Sequence, residues 1–220
     1  MELLQHSRSL NSLLLHDGGN REGLLQFFSQ CRSPILTLDL RLPLDLSNDH
    51  LSTMALSLRG LNSLRLQSCC LVSGEGLRAL AVGLAGLEEL ALVNCDVVER
   101  EPGLLATLGQ RFRNLRKLDL SHNEMLHDKE LVSMLVSCGC LVELRVRGCG
   151  GLTSVALASM LRSCKSLESV DVMQCLGIGP EAVEFFLKNS SRLRRVEVEE
   201  SKLSDAARMW ASSKFVELVV

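Results

Sequence analysis

The sequence predicts an α/β solenoid, with short parallel strands along a concave inner face and helices along a convex outer one. Three observations lead there. Leucine supplies 47 of the 220 residues, whereas Phe, Trp and Tyr together supply only seven. Such a bias calls for a periodic structure rather than an ordinary mixed core. A spaced pattern of leucines returns about every 26 residues along almost the whole chain. Within each interval, a stretch of period-two alternation precedes a stretch of helical period.

The pattern is L-x-x-L-x-L-x-x-(N/C). It runs from Leu61 to Cys69, Leu87 to Cys95, Leu115 to Asn123, Leu141 to Cys149 and Leu167 to Cys175. Leu193 to Ser201 ends on Ser, and Leu10 to Gly18 and Ile35 to Pro43 are degenerate at the last position. The starts at 10, 35, 61, 87, 115, 141, 167 and 193 lie 25, 26, 26, 28, 26, 26 and 26 residues apart. Phe215-x-x-Leu218-x-Val220 reads as a truncated ninth unit. Residues 1–220 therefore read as one domain of about eight leucine-rich repeats, with a partial ninth at 215. A coiled coil is excluded, because no heptad persists.

The strand half is visible in Leu64-Arg65-Leu66 and Val170-Asp171-Val172, where apolar and polar residues alternate as on a strand with one buried face. The helix half follows. Asp128 is a candidate N-cap, with Leu131, Met134 and Leu135 at helical spacing behind it. Pro180 suits a first helical position. Val155, Leu157, Met160 and Leu161 supply the apolar face one repeat earlier. A single strand–helix unit cannot bury its apolar face alone, but stacked units can. Helices are wider than strands, so the stack curves with the strands inside.

The nine cysteines fit this frame better than they fit disulfide or zinc chemistry. Cys69, Cys95, Cys149 and Cys175 share the ninth pattern position with Asn123. There the chain turns inward, and a small donor can bond to backbone carbonyls. Cys138 and Cys164 occupy a second slot, three residues before the first Leu, filled elsewhere by Leu58, Leu84 and Phe112. Neither Cys69-Cys70 nor Cys138-Gly139-Cys140 has zinc-knuckle spacing, so no metal is expected.

With both cysteine slots filled, Cys164 to Cys175 resembles the cysteine-containing class of leucine-rich repeats, C-x-x-L-x-x-L-x-L-x-x-C. The resemblance covers nearly the whole chain and is weakest before about residue 60. It implies a ribonuclease-inhibitor-like horseshoe or arc. It also implies the company of F-box/LRR proteins, in which the F-box binds the adaptor of an SCF-type ubiquitin ligase and the repeats hold the substrate. The one Leu-Pro pair, Leu42-Pro43, lies inside a repeat, and residues 1–9 leave no room for an F-box. Substrate capture is thus the part of the resemblance expected to carry over. Leu3-Leu4 resembles the end of a repeat helix and Phe215 to Val220 a bare strand. A longer protein, or a partner covering the ends, is expected.

The third, fifth and seventh pattern positions should project from the concave face. Arg41, Arg65, Lys117, Asp119, Glu143, Arg145, Arg147, Asp171 and Glu197 stand there and form the expected partner-binding set. Basic residues gather as Arg41 with Arg65 and as Arg145 with Arg147, a pair able to hold a carboxylate or phosphate bidentately. Asp171, Glu197, Glu199 and Glu200 make the C-terminal end acidic. A face of mixed sign suits a protein or extended peptide.

Other functions are disfavoured. Net charge is -2 and rings are scarce, which argues against nucleic acid. No long uncharged apolar stretch or signal-like N-terminus occurs, so neither a membrane span nor secretion is expected, and the cytoplasm or nucleus is. The five histidines (His6, His16, His50, His122 and His127) are scattered, and no phosphate loop or zinc-protease motif is present. Gly148, Gly150 and Gly151 read as a turn. No catalyst and no cofactor are expected. The leading reading is a non-catalytic interaction scaffold, the substrate-recognition part of an SCF-type ligase. The alternative is an F-box-free repeat protein acting as inhibitor, competitor or assembly factor.

Overall fold

The computed structural model describes residues 10–17, 20–31, 33–42 and 45–220. Leu3-Leu4, His6 and the ninth pattern positions of the first two repeats, Gly18 and Pro43, lie outside the described residues. Nine parallel strands form one open sheet in chain order. They are β1 Ser12–His16, β2 Thr37–Arg41, β3 Ser63–Gln67, β4 Glu89–Val93, β5 Lys117–Asp119, β6 Glu143–Arg145, β7 Ser169–Asp171, β8 Arg195–Glu197 and β9 Glu217–Val219. The register is in phase throughout: Asp39 faces Arg65, which faces Ala91, then Asp119, Arg145, Asp171 and Glu197. Equal positions of successive repeats therefore stack in rows.

Helices return the chain between strands: α1 Arg21–Gln30, α2 Asn48–Ser57, α3 Gly74–Gly83, α4 Val97–Arg100, α5 Leu104–Arg111, α6 Asp128–Leu135, α7 Ser154–Ser163, α8 Pro180–Asn189 and α9 Asp205–Ser213. The 28-residue repeat accommodates its extra length in the additional short helix α4. None of the described helices is long and apolar enough to cross a membrane. The core is one continuous column of the inward leucines and valines with Cys69, Cys95, Cys138, Cys149, Cys164 and Cys175. Burial of each such leucine is worth about 1.5–3 kcal/mol, and no single repeat holds enough of them to stand alone.

Three details differ from the sequence reading. His127, not Asp128, is the extended N-cap residue of α6. Asp128 instead accepts from the Thr153 amide at 3.0 Å and the Thr153 hydroxyl at 2.5 Å, tying its repeat to the next. Val155 is half-exposed, and Ala156 takes the inward position beside Leu157 and Met160. Phe215 aligns with Leu193 in register, yet its ring is 93% exposed because its backbone enters the left-handed region, turning Val216 inward instead.

The sequence also conceals a corner. In seven repeats the eighth pattern position (Asp17, Leu42, Ser68, Asn94, His122, Gly148, Gln174) has positive φ, between 48° and 71°. In the five repeats from Ser68 to Gln174 this left-handed step swings the chain out of the strand and drops the ninth side chain (Cys69, Cys95, Asn123, Cys149, Cys175) into the core. Only Gly148 adopts it without the steric penalty that a Cβ incurs.

Candidate functional site

At the strand exit, the ninth-position side chains form a ladder that holds repeats together. Asn123 Nδ2 donates to Leu92 O at 2.9 Å and Leu120 O at 2.7 Å, while its Oδ1 accepts from the Cys95 amide at 2.9 Å. The cysteine thiols reach the same carbonyl of the preceding repeat: Cys95 to Leu66 O at 3.4 Å, Cys149 to Leu120 O at 3.2 Å and Cys175 to Val146 O at 3.0 Å. Cys69 instead contacts Gln67 O at 3.8 Å. Burial pushes the Cys149 thiol up to about 12 and the Cys175 thiol up to about 11. Cys138 and Cys164, in the second slot, are likewise raised to about 12 and about 11 by burial. The hydrogen bond with Cys95, then burial, raises the Cys69 thiol. The four thiols raised by burial stay protonated near neutrality, which suits packing and not nucleophilic chemistry; the bond that raises Cys69 lowers its partner Cys95. His50 is structural too. Its Nδ1 accepts from the Ser47 amide at 3.0 Å and its Nε2 lies 2.8 Å from Arg21 O, fully buried beneath α1.

The concave face is where charged side chains meet across strands, and most of its cations already have carboxylate partners. Arg41 binds Asp39 at 2.8 Å. Arg65 passes over the small Ala91 to reach Asp119 at 3.2 Å and approaches Asp39 at 3.9 Å. Lys117 pairs with Glu89 at 2.6 Å, and Ser63 donates to that same carboxylate at 2.9 Å. Burial pushes Glu89 upward, but the bonds from Lys117 and Ser63 outweigh it and leave the group below its usual value. Arg145 pairs with Glu143 at 2.7 Å. Between these residues a groove of about 300 Å³ runs across β2–β6, with Ala91 at its centre.

The other half of the face differs from the expectation. Arg145 and Arg147 do not make an open bidentate pair. The Arg147 guanidinium is taken by Asp171 at 2.9 Å and Glu197 at 2.8 Å. Asp171 is 5% exposed and so is no accessible partner contact; Arg147 covers it, and its Oδ1 accepts from the Met173 amide at 3.0 Å. Burial raises the Asp171 carboxyl above its usual value despite those bonds. The acidic C-terminal end is compensated as well. Glu197 also faces Arg195 at 3.2 Å, Glu199 pairs with Lys202 at 2.9 Å, and Glu200 contacts Arg208. Charges that look clustered along the sequence are interleaved in space because adjacent strands lie about 26 residues apart. Sequence reasoning missed the groove at Ala91, although a small residue at a position that neighbouring repeats give to Arg or Asp was the available signal.

This geometry, nine in-register strands with a carbonyl-bonding ladder behind them, defines a leucine-rich-repeat solenoid. A family model described as a leucine-rich repeat matches residues 59–81 and 113–129. Among solved structures, the leucine-rich repeat-containing protein LegL7 from Legionella pneumophila is similar at a TM-score of 0.56 and 17% identity, covering 99% of this chain and 85% of that one. A chain of the yeast Rad7 and Elc1 complex is similar at a TM-score of 0.53 and 17% identity, covering 99% and 71%. Among curated protein sequences there is no match. The chain thus has the leucine-rich-repeat fold, and two of its segments match the family model directly.

Proposed function

We propose that this chain is a non-catalytic scaffold that holds a protein or an extended peptide on its concave face. The observation that carries the reading is the groove over Ala91. Its floor is apolar and small, its walls are Asp39, Arg65, Glu89, Lys117, Asp119 and Arg145, and it opens to solvent. A partner placing an apolar side chain on Ala91 would exchange these surface ion pairs for its own. The exchange costs little because exposed pairs are each worth under about 1 kcal/mol. Charge alternation along the groove sets register and partner choice more than raw affinity.

The finer reading is substrate recognition within an SCF-type ubiquitin ligase, with other ligase components in a longer product and a cytoplasmic or nuclear setting. The resemblance to F-box/LRR repeats supports it, and a solenoid of this shape occurs in the Rad7 and Elc1 complex. The second reading, an inhibitor, competitor or assembly factor without an F-box, rests on the same groove. Affinity purification of the full gene product from cells tests both. Wild type is expected to retain a partner that Ala91→Trp loses with its melting temperature nearly unchanged. Retention by Ala91→Trp contradicts concave-face binding. A cullin and adaptor among the recovered proteins favour the ligase reading, and a partner without them favours the second.

A further inference from the structure

A net charge of -2 hides two edges of opposite sign. At the edge where helices end and strands begin, the segments 110–116, 136–142, 162–168, 188–194 and 212–216 carry nine Lys or Arg against the single carboxylate of Glu168. The cations fall into two groups. Arg111, Arg113 and Arg116 form the first. Arg162, Lys165, Lys188, Arg192, Arg194 and Lys214 form the second. Between them the segment 136–142 is uncharged and presents Val136, 71% exposed, beside the exposed Cys140.

Helix dipoles favour cations at helix C-termini and account for Arg111, Arg162 and Lys188, in the last turns of α5, α7 and α8, but not for the other six. Helices α2, α3 and α6 have no basic residue in their last turn. The corresponding segments 56–62 and 82–88 carry one Arg59 and one Glu88, no net charge. Arg116, Arg192 and Arg194 lie beyond the helices in the strand entries. All are exposed, as is Arg111, and Arg111, Arg116 and Arg192 have no hydrogen-bond or ion-pair partner among the described residues. Other cations do have structural tasks: Lys214 donates to Leu187 O and Ser190 O at 2.9 Å, Lys165 to Leu161 O at 2.6 Å and Arg113 to Gln110 O at 3.1 Å, and Arg194 pairs with Glu168 at 3.3 Å. The second group also borders two indentations, one between Lys165 and Arg192 and one of about 420 Å³ lined by Asn189, Ser190, Ser191, Leu193 and Lys214. Amide and hydroxyl groups there stand beside the cations.

We propose that this strand-entry edge, from Arg111 to Lys214, docks an acidic protein segment in which two runs of carboxylates flank an apolar residue. Guanidinium groups match carboxylates bidentately. The uncharged strip at Val136 fits an apolar side chain between the two runs, whereas a nucleic acid carries charge evenly along its length. Single-stranded nucleic acid also stacks successive bases on several rings, whereas this edge offers one well-exposed ring, Phe215 beside Lys214, and Trp210 is partly buried with Lys188 5.5 Å above it. This surface is distinct from the groove over Ala91, so chain and partner would meet on two faces.

The test is fluorescence anisotropy with a fluorescein-labelled synthetic peptide carrying Glu runs on either side of a Leu. Wild type is expected to bind it, more weakly as salt rises. Arg113→Glu with Arg116→Glu, and separately Arg192→Glu with Arg194→Glu, should weaken binding by roughly tenfold each. Arg59→Glu on the same edge, and Arg145→Glu and Ala91→Trp on the concave face, should leave it unchanged. If a reversal pair fails to fold, Arg192→Gln with Arg194→Gln carries the same prediction at smaller size. Equal binding by the edge variants overturns the proposal. So does loss of binding in the concave variants alone, which would leave the groove reading standing. Tighter binding of a single-stranded oligonucleotide than of the peptide, at equal salt, also overturns it.

Discussion

The two edges of the solenoid carry opposite charge, and the charges have different work. At the strand-exit edge, carboxylates are spent on backbone amides of a neighbouring repeat. Glu99 accepts from Met125 N at 2.7 Å, Glu101 from Gly74 N at 2.6 Å, Glu130 from Gly103 N at 3.0 Å and Asp128 from Thr153 N at 3.0 Å. Loops and helix starts leave amide donors without intrahelical acceptors, so acidic residues there bind one repeat to the next. The strand-entry edge presents carbonyls, and only some of its cations serve them: Lys214, Lys165 and Arg113 do. The acidity of one edge is architectural, while the basicity of the other exceeds what the architecture uses.

The largest expected effect lies behind the exit edge. Asn123→Ala removes three buried hydrogen bonds and should cost about 3 kcal/mol, since each unsatisfied buried group costs roughly 1 kcal/mol or more. Cys149→Ser, in the same slot, should cost about 1 kcal/mol, because a hydroxyl replaces a thiol that packs against the core. Chemical denaturation measures both. Equal costs would show that the slot is filled for packing alone, without the carbonyl ladder.

An intermediate effect is expected on the concave face, and it depends on pH. Arg147→Ala strips its cation partner from Asp171, a nearly buried carboxylate, at a cost of about 2 kcal/mol at pH 7. The folded Asp171 carboxyl is already raised by burial, and losing Arg147 raises it further. A raised acid holds its proton longer folded than unfolded, so the penalty grows as pH rises past the unfolded value and vanishes below it. Thermal melts should therefore show wild type and Arg147→Ala converging between neutrality and pH 3. A constant gap would mean that Asp171 is not the group left exposed to the loss.

The fold was legible because inward positions admit few residue types. Leu, Val and Cys return at one spacing, and the rows of the sheet follow from it. The left-handed corner was not legible, because Asp17, Leu42, Ser68, Asn94, His122 and Gln174 share no chemistry; the neighbouring repeats impose their conformation. Concave-face residues could be named from the strand alternation. Their pairing could not, because Arg65 finds Asp119 across an intervening strand and Arg147 finds Glu197 fifty residues away. The charged edges were not legible, because the repeat pattern leaves its loop positions unspecified and most of the cations fall there.

One comparison of melting temperatures tests the central claim most directly: that exit-edge charges join repeats while entry-edge charges are left over. The triple variant Glu99→Ala, Glu101→Ala, Asp128→Ala is set beside Arg111→Gln, Arg116→Gln, Arg192→Gln. The exit-edge variant should lose about 3 kcal/mol, roughly 1 for each charge-assisted bond to a backbone amide, and the entry-edge variant less than about 0.5 kcal/mol. An entry-edge loss as large as the exit-edge loss would contradict the account.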